Sequence, residues 1–519
     1  MSQIRPVLPR LLHFEDALQK TGWGLYYKFL VGFAAANLFT NGFVLLCMHF
    51  ALPLSACDTV LSRDDLVAIF LCFATGKALG GFLLCSISDN TGKRCMISKS
   101  LIITFASCFV SAFSHNTYTL YLAAFFLGSG LQANIVSIKI YLAEILPIDR
   151  RGFYVILPDL FWTAGYFSTS VFIYYFGSTN ANVSEHQGMD MRLTSWRIIF
   201  AVGGGLCITM GCTSALLEMS PRYLLFKRRI ITASLILKQF YAINKSKYSE
   251  TFDVHSQQLV DLISDYNINL DPEPAGMVQQ VVTIVKVMLR MLRILLRRPF
   301  LKTAVTVALL KLPTLFGIVG SDIYLAQLLT AKNDTLQGVN FVHLGLVYSS
   351  NCTIAVDEEQ YENFLLISIN ILFGQILLLC IIDRFGRKFP IFAGLTTCSL
   401  TSVILAYNRN FTVLAIASSF YTLGYTLVES TLYVVVIESF PTAIRGTAMG
   451  ITSFYAHLTS CFLYNFLNMS RQHFLSILSA ITFGKSQNII RHEPKICDKH
   501  IIAGSNNAKQ HRVHQHLLI

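Results

Sequence analysis

The sequence has little charge and few residues that interrupt or cross-link a chain. Only 13% of its 519 residues are charged, and it has 31 Gly, 13 Pro and 3 Trp. Soluble domains carry about 25% charged residues, so the composition argues against a soluble enzyme. The hydrophobic content of 53% excludes a disordered chain, the low Gly count excludes a collagen, and the length excludes a disulfide-framed mini-domain.

Motifs of catalysis are missing as well. None of the 13 Cys forms a Cys-x-x-Cys pair, and no Cys/His cluster has the spacing of a zinc site. The sequence has no nucleophile elbow and no P-loop. It therefore predicts neither an enzyme nor a metal or cofactor, and ATP is not expected to drive the process.

Long apolar runs are what the sequence does contain. Crossing the hydrocarbon core takes about 20 apolar residues, and the runs predict eleven spans. These lie at 28–50, 65–87, 97–114, 119–142, 153–177, 197–217, 299–320, 362–383, 388–408, 411–437 and 446–468. They indicate an all-α polytopic membrane protein.

The spans divide the chain into five predicted parts. These are a cytoplasmic amino-terminal segment (1–27), a six-helix bundle (28–217), a cytoplasmic linker (218–298), a second bundle with five spans (299–470), and a short apolar segment with a basic tail (471–519). The apolar stretch at 474–483 is too short to cross a bilayer. A twelfth helix is therefore expected to be missing or truncated, through splicing or a gene-model error, unless this stretch is interfacial.

Loop charge predicts the orientation. The linker has 12 Lys and Arg against 7 Asp and Glu, whereas the 322–362 loop has six acids and one Lys. The positive-inside rule places the linker and the amino terminus in the cytoplasm. Glycosylation sequons fall on the opposite side, at Asn182, Asn333, Asn351, Asn410 and Asn468. The sequon at Asn244, in the linker, is expected to be a chance match.

An internal duplication is the most specific signal. The turn motif Asp89, Gly92, Lys93, Arg94 recurs as Asp383, Gly386, Arg387, Lys388, and the pair Glu144, Arg151 recurs as Glu438, Arg445, always 294 residues later. Because all these residues share one offset, the sequence predicts two homologous halves, each expected to have six spans.

The motifs have a physical interpretation as gates. Gly permits a tight turn, basic residues bind lipid headgroups, and Asp can pair with a base or face a helix amino terminus. Such clusters would hold the two halves together on the cytoplasmic side in one state and release them in the other. The alternative is that these charges only fix the topology.

These motifs resemble those of the major facilitator superfamily. Ser195-Trp196-Arg197 and the run from Ser220 to Leu225 resemble its organic-ion and sugar transporter branch. The stretches 14–18 and 240–244 are similar, more narrowly, to the synaptic vesicle glycoprotein 2 group and its insect relatives. The resemblance implies two six-helix repeats that alternate access around a central cavity. Relatives often carry an acid in span one, where this chain has Asn37 and Asn41, so proton coupling there is in doubt.

Polar residues within spans tend to face a cavity, because facing lipid is costly. The candidates for the substrate pathway are Asn37, Asn41, Lys77, Gln132, Lys139, Asp159, Lys311 and Glu429, together with the aromatics Trp162, Tyr166 and Tyr433. Asn134, Asn370, Gln375, His457 and Tyr425 complete the set. Lys139–Asp159 and Lys311–Glu429 could be structural ion pairs, or one group could bind a charged solute or proton. The aromatics could stack on a ligand or simply pack between helices.

Four arginines among Leu and Met at 288–298 predict an amphipathic helix on the anionic inner leaflet; a calmodulin target is the weaker alternative. The leading functional hypothesis is transport of a small organic solute, an organic ion or a sugar-like molecule. The alternative is a non-transporting vesicle glycoprotein, with vesicle proteins as candidate partners. Plasma membrane and intracellular vesicle are both compatible locations, and no nucleic-acid partner is expected.

Overall fold

A computed structural model describes residues 12–52, 55, 59, 61, 63–148, 151–179, 195–252, 259–260, 277–297, 300–319, 346–348, 354–356, 358–408 and 410–465. The helices of the first part are α1 (Phe14–Lys20), α2 (Leu25–Leu46), α3 (Arg63–Thr91), α4 (Lys93–Ala112), α5 (Thr117–Ile145), α6 (Arg151–Thr179) and α7 (Ser195–Thr213). Then follow α8 (Pro221–Phe226), α9 (Ile230–Lys245), α10 (Met277–Leu295), α11 (Phe300–Val319), α12 (Glu358–Ile381), α13 (Lys388–Tyr407), α14 (Phe411–Ser439) and α15 (Arg445–Asn465).

Short strands form two small ladders beside the helices. β1 (Leu12–His13) pairs in parallel with β2 (Leu259–Val260), and β3 (Leu346–Tyr348) pairs antiparallel with β4 (Ile354–Val356). The first ladder joins the amino-terminal segment to the linker. Neither ladder was expected from the sequence, because two or three residues carry no strand periodicity.

Helices occupy the positions of all eleven predicted spans, as α2–α7 and α11–α15. Within the described ranges, seven helices are long and apolar enough to cross a membrane on length and composition alone. The predicted short apolar segment and basic tail, at 471–519, lie outside the described residues, so the expected lack of a twelfth helix stays a prediction. Local signals set several ends: the Asn116 side chain accepts from the Tyr118 N–H at the start of α5, and Ser220 caps α8 just before Pro221.

Glycines let helices of one half pack closely. α2 and α6 cross with Gly42 against the Trp162 carbonyl and Gly165 against the Phe39 carbonyl. A Cβ at either glycine would lie 2.0 Å from the facing oxygen, so no other residue fits without displacing a helix. Such close backbone approach is the usual role of Gly in membrane bundles.

The two halves meet through equivalent helices. α3, the second helix of the first half, packs on α15, and its counterpart α12 packs on α6. The duplication predicts this reciprocal pairing, because α15 and α6 are each the fifth helix of their half. Contacts between the halves therefore include the helix ends at which the duplicated motifs lie.

The amino-terminal segment packs on the linker helix α9. Tyr26 stacks on Phe240 with ring centroids 4.2 Å apart. The Asn244 side chain accepts from the Tyr26 N–H at 3.1 Å and donates to the Gly22 carbonyl at 3.0 Å. Through these contacts the stretch 240–244, one of the two that resemble the vesicle glycoprotein group, packs on Gly22 and Tyr26. These contacts also give Asn244 a structural role.

The predicted amphipathic helix is present as α10, but it begins at Met277, eleven residues before the expected start. The prediction used the arginine-rich end and missed the uncharged first turns. Met291 and Leu295 are buried against the bundle, so one face of α10 packs on protein.

Candidate functional site

A cavity of about 130 Å³ lies between the two halves. Nine of the predicted pathway residues line it: Lys77, Gln132, Lys139, Asp159, Trp162, Tyr166, Lys311, Glu429 and Tyr433. Gln375, Tyr425 and His457 line it as well, and Thr426, Ser430 and Ser453 were not anticipated. Those three are small hydroxyl residues, which are common in membrane helices and give no specific signal in a sequence.

The first ion pair lies in the amino-terminal half. The Lys139 ammonium of α5 is 2.8 Å from Asp159 Oδ1 and 2.9 Å from Oδ2, on α6. Both residues are at most 5% exposed. A buried charge is stable only when paired, so each side chain depends on the other.

The second ion pair lies in the carboxyl-terminal half, where Lys311 of α11 approaches Glu429 of α14 at 3.4 Å. The ring of Tyr433, one turn after Glu429, joins the two pairs. Its centroid is 3.9 Å from the Lys139 ammonium and 4.1 Å from that of Lys311. One aromatic ring thus contacts a cation from each half.

Other polar groups surround these pairs. His457 Nε2 lies 3.1 Å from Gln132 Oε1, which links α15 to α5. The Lys77 ammonium lies 4.5 Å from the centre of the Phe73 ring. Trp162 stacks on Tyr166 with centroids 5.6 Å apart. The cavity lining thus combines charged groups and aromatic faces.

Asn37 and Asn41 do not line the cavity. Both are buried in an amide cluster, in which Asn41 and Asn134 donate to Asn37 Oδ1 at 3.0 and 2.9 Å. The cluster ties α2 to α5. Asn370 bonds Ser419 at 2.8 Å and also lies outside the cavity lining.

The first turn motif binds the start of α15, in the opposite half. Asp89 accepts hydrogen bonds from the Gly446 N–H at 2.9 Å and from the Thr447 N–H at 2.8 Å, and a third from the Thr447 hydroxyl at 2.9 Å. Lys93 also pairs with Asp89. Asp89 therefore caps the amino terminus of α15 and pairs with a base, which were the two roles predicted as alternatives. Gly92, with φ of 93°, makes the turn.

The second turn motif lies against the start of α6. Arg387 binds Glu438 through two contacts of 2.8 and 3.1 Å, and lies 3.5 Å from Asp383. A Cβ at Gly152 would lie 2.6 Å from Arg387 and 2.9 Å from Asp383. Gly386, with φ of 72°, makes this turn. The two motifs close the same end of the bundle on both sides of the pseudosymmetry axis.

Basic residues of the turns have different neighbours. Arg94 donates to the Ala215 carbonyl at 2.8 Å, and Lys388 is the first residue of α13. Arg445 is buried and donates to the Phe440 carbonyl at 3.2 Å. The carboxylate of Glu144 is buried and accepts no hydrogen bond from the described residues.

Arg151 pairs with a residue that the sequence did not suggest. Its guanidinium lies 2.9 Å from Glu15 of α1, and Arg222 of α8 binds the other Glu15 oxygen. Burial alone would raise the pKa of the Glu15 carboxyl, but the charges of Arg222 and Arg151 outweigh it and lower the pKa below its ordinary 4.5. Helix α1 is thereby bound to the first residue of α6. This end of the bundle, where the duplicated motifs lie, is called the motif end.

Of the predicted glycosylation sites, Asn410 is exposed just before α14. Asn182, Asn333, Asn351 and Asn468 lie outside the described residues. Across the described ranges, no group of three or more His, Cys, Asp or Glu side chains is placed to hold a metal ion.

Comparisons with known proteins cover most of the chain. The Major Facilitator Superfamily model matches residues 29–463. Organic cation/carnitine transporter 7 of Arabidopsis thaliana is 22% identical, over 85% of this chain and 84% of its own length. Synaptic vesicle glycoprotein 2B of Homo sapiens is 23% identical over 44% of this chain, and Hexose transporter 1 of Toxoplasma gondii 27% over 40%. The chain spans only 34% and 35% of the lengths of those two proteins.

Solved structures share the fold. The proton:xylose symporter XylE bound to 6-bromo-6-deoxy-D-glucose aligns with a TM-score of 0.67 at 16% identity, over 90% of this chain and 96% of that one. The inward open conformation of XylE from E. coli aligns with a TM-score of 0.55, also at 16% identity, over 90% of this chain and 97% of that one. The predicted fold class is confirmed.

Proposed function

Because this chain belongs to the major facilitator superfamily, we propose that it carries a small organic solute across a membrane by alternating access. It is a multi-pass membrane protein whose relatives include named transporters of organic cations and hexoses. The observation that carries the proposal is the cavity between the halves, lined by two ion pairs that share the ring of Tyr433.

The proposed cycle uses the closed motif end. In the state described, Asp89 holds α15 and the second turn motif lies against α6, so the two halves are joined at that end. Opening it requires these contacts to separate. A solute that binds groups of both halves would favour one arrangement over the other by its differential affinity, which is how a ligand shifts a conformational equilibrium.

The cavity favours a solute with at least one charge. An incoming carboxylate or ammonium can exchange with one partner of Lys139–Asp159 or Lys311–Glu429, and an apolar or ring portion can lie on Trp162. An organic ion thus fits better than a neutral sugar, which would leave both pairs intact.

Uptake into proteoliposomes tests this proposal. The panel contains an organic cation, an organic anion, carnitine as a zwitterion, and a hexose. Saturable uptake of one charged solute is expected, and Asp159→Asn or Glu429→Gln should reduce it. The matched control is Glu250→Gln, which neutralises an exposed acid outside the bundle. Absence of saturable flux for the whole panel, from protein that is folded and monodisperse, would refute carriage of these classes.

A second proposed function is that of a non-transporting vesicle glycoprotein. It is supported by the likeness to synaptic vesicle glycoprotein 2B and by the packing of the stretch 240–244, which resembles that group, on Tyr26. Affinity purification from vesicles, comparing the intact chain with Phe240→Ala, tests it. A specific partner lost from the variant, together with no flux, would favour this role over transport.

The proposed orientation places the turn motifs and the amino terminus in the cytoplasm. Lys93, Arg94, Arg387 and Lys388 at one end of the bundle support it. Exposed Asn410, beyond the other end of α13, would then be accessible to glycosylation. Enzymatic removal of a glycan that is lost in Asn410→Gln tests this placement.

A further inference from the structure

A second cavity lies outside the central site, on the outer surface of the bundle. This groove, of about 440 Å³, is bounded by α10, α11 and α15, with Phe82 of α3 at its base. Its lining is apolar apart from the hydroxyl of Tyr455, and includes Leu295, Ala304 and Leu309. Leu296 and Tyr455 are more than half exposed, so the groove is open to its surroundings.

A row of bases runs along the adjacent helix. Lys286, Arg290, Arg293 and Arg297 are spaced by four, three and four residues, so they share one face of α10 and its end. Arg293 and Arg297 are exposed. Arg293 lies three residues before Leu296 of the groove wall, and residues three apart are neighbours on a helix, so the basic face adjoins the apolar opening.

Chain connectivity sets the depth of these residues. Arg297 lies three residues before Phe300, where the membrane helix α11 begins. Because the sequence predicts a span at 299–320, Arg293 and Arg297 are expected at headgroup level. The groove then follows α11 inward from Leu301 to Leu309, about 12 Å at a rise of 1.5 Å per residue. The groove therefore has arginines at its opening and apolar side chains farther in. This arrangement suits an amphiphile whose long axis lies along the bilayer normal.

We propose that this groove binds an anionic phospholipid, with an acyl chain between α10, α11 and α15 and the phosphate on Arg293 and Arg297. The solute of the central cavity is a poor alternative occupant, because the described lining offers a single hydroxyl to a polar molecule. Basic residues at the headgroup level select anionic over zwitterionic lipid.

The bound lipid would act on the gate, because the groove is made by both halves. Phe82 of α3 and Phe454 of α15 line it together, with ring centroids 6.1 Å apart. Seven residues after Phe82, Asp89 caps the start of α15. An acyl chain seated against both rings stabilises the arrangement in which that cap is formed. The lipid is thus a conformational ligand of the closed motif end.

Native mass spectrometry of the intact chain, titrated with phosphatidylserine or phosphatidylcholine, measures the binding. One tightly held phosphatidylserine is expected. Each arginine near a membrane surface contributes about 1 kcal/mol to binding anionic lipid, so Arg293→Gln with Arg297→Gln should weaken it about 30-fold. The matched control, Arg228→Gln with Lys247→Gln, removes two exposed charges from the turns flanking α9 and should leave it unchanged.

A variant that fills the groove distinguishes binding of an acyl chain in the groove from attraction of the headgroup to the arginines alone. Ala308→Phe fills the groove and should abolish tight binding while leaving all the arginines in place. Equal retention of both lipids by the wild type, unchanged phosphatidylserine binding in the arginine variant, or equal loss in the matched control would overturn the proposal. The readout is independent of any solute, so its outcome is separate from that of the transport experiment.

Discussion

Replacing Asp89 by Ala should release the motif end of the bundle. The carboxylate accepts three hydrogen bonds from Gly446 and Thr447 at the start of α15, and pairs with Lys93. A hydrogen bond to a charged group contributes about 1.5–3 kcal/mol. Because bonds to one carboxylate are not additive, we expect a total loss of ~3 kcal/mol, a roughly 150-fold shift toward the separated arrangement.

Hydrogen exchange measured by mass spectrometry reports this shift directly. The amides of Gly446 and Thr447 are bound to Asp89, so their exchange should accelerate by a similar factor in Asp89→Ala. Asp89→Asn keeps one carbonyl acceptor, so its exchange rate at these two amides should lie between those of the wild type and of Asp89→Ala. Asp16→Ala, which removes an exposed acid of α1, is the matched control. Unchanged exchange at 446–447, in an Asp89→Ala protein with a wild-type melting temperature, would refute the reasoning.

Three further predictions concern packing, the cavity and pH. Gly165→Ala should lower the melting temperature, since overpacking costs about 1–3 kcal/mol, whereas Gly205→Ala, where a Cβ meets nothing within 4 Å, should not. Tyr433→Leu should reduce solute uptake, while Tyr433→Phe, which keeps the ring between the lysines, should retain it. The lowered pKa of Glu15 means that its pairs with the two arginines contribute stability above pH 4.5 and lose it as pH falls through the folded value. The melting temperatures of wild type and Glu15→Gln should therefore differ at pH 7 and converge below pH 4.5.

Much of the architecture follows from local pattern. Apolar runs of about 20 residues can satisfy their backbone in a bilayer only as helices, so the eleven helices were predictable within a few residues. The offset of 294 between duplicated motifs also predicts that α3 and α12 have equivalent partners. Lys139 and Asp159, which are polar residues inside apolar runs, form the ion pair that was one of the two alternatives left open by the sequence.

Tertiary pairing accounts for what the sequence did not indicate. Glu15 lies in a polar segment, and nothing local identifies Arg151 and Arg222, more than a hundred residues away, as its partners. Asn37 carries the same signal as a cavity residue, since any polar group in a span must avoid lipid. Only the position of Asn134 across the α2–α5 contact shows that the Asn37 carbonyl oxygen accepts its hydrogen bonds inside the half.

Solute counterflow tests the central claim most directly. Proteoliposomes are preloaded with the unlabelled solute identified by the uptake panel, and labelled solute is added outside. An alternating-access carrier returns with solute bound, so we predict transient accumulation of label above equilibrium, and its loss in Asp159→Asn. Label that only equilibrates, with the same time course in empty and preloaded vesicles, would contradict a carrier whose two halves exchange access to one central site.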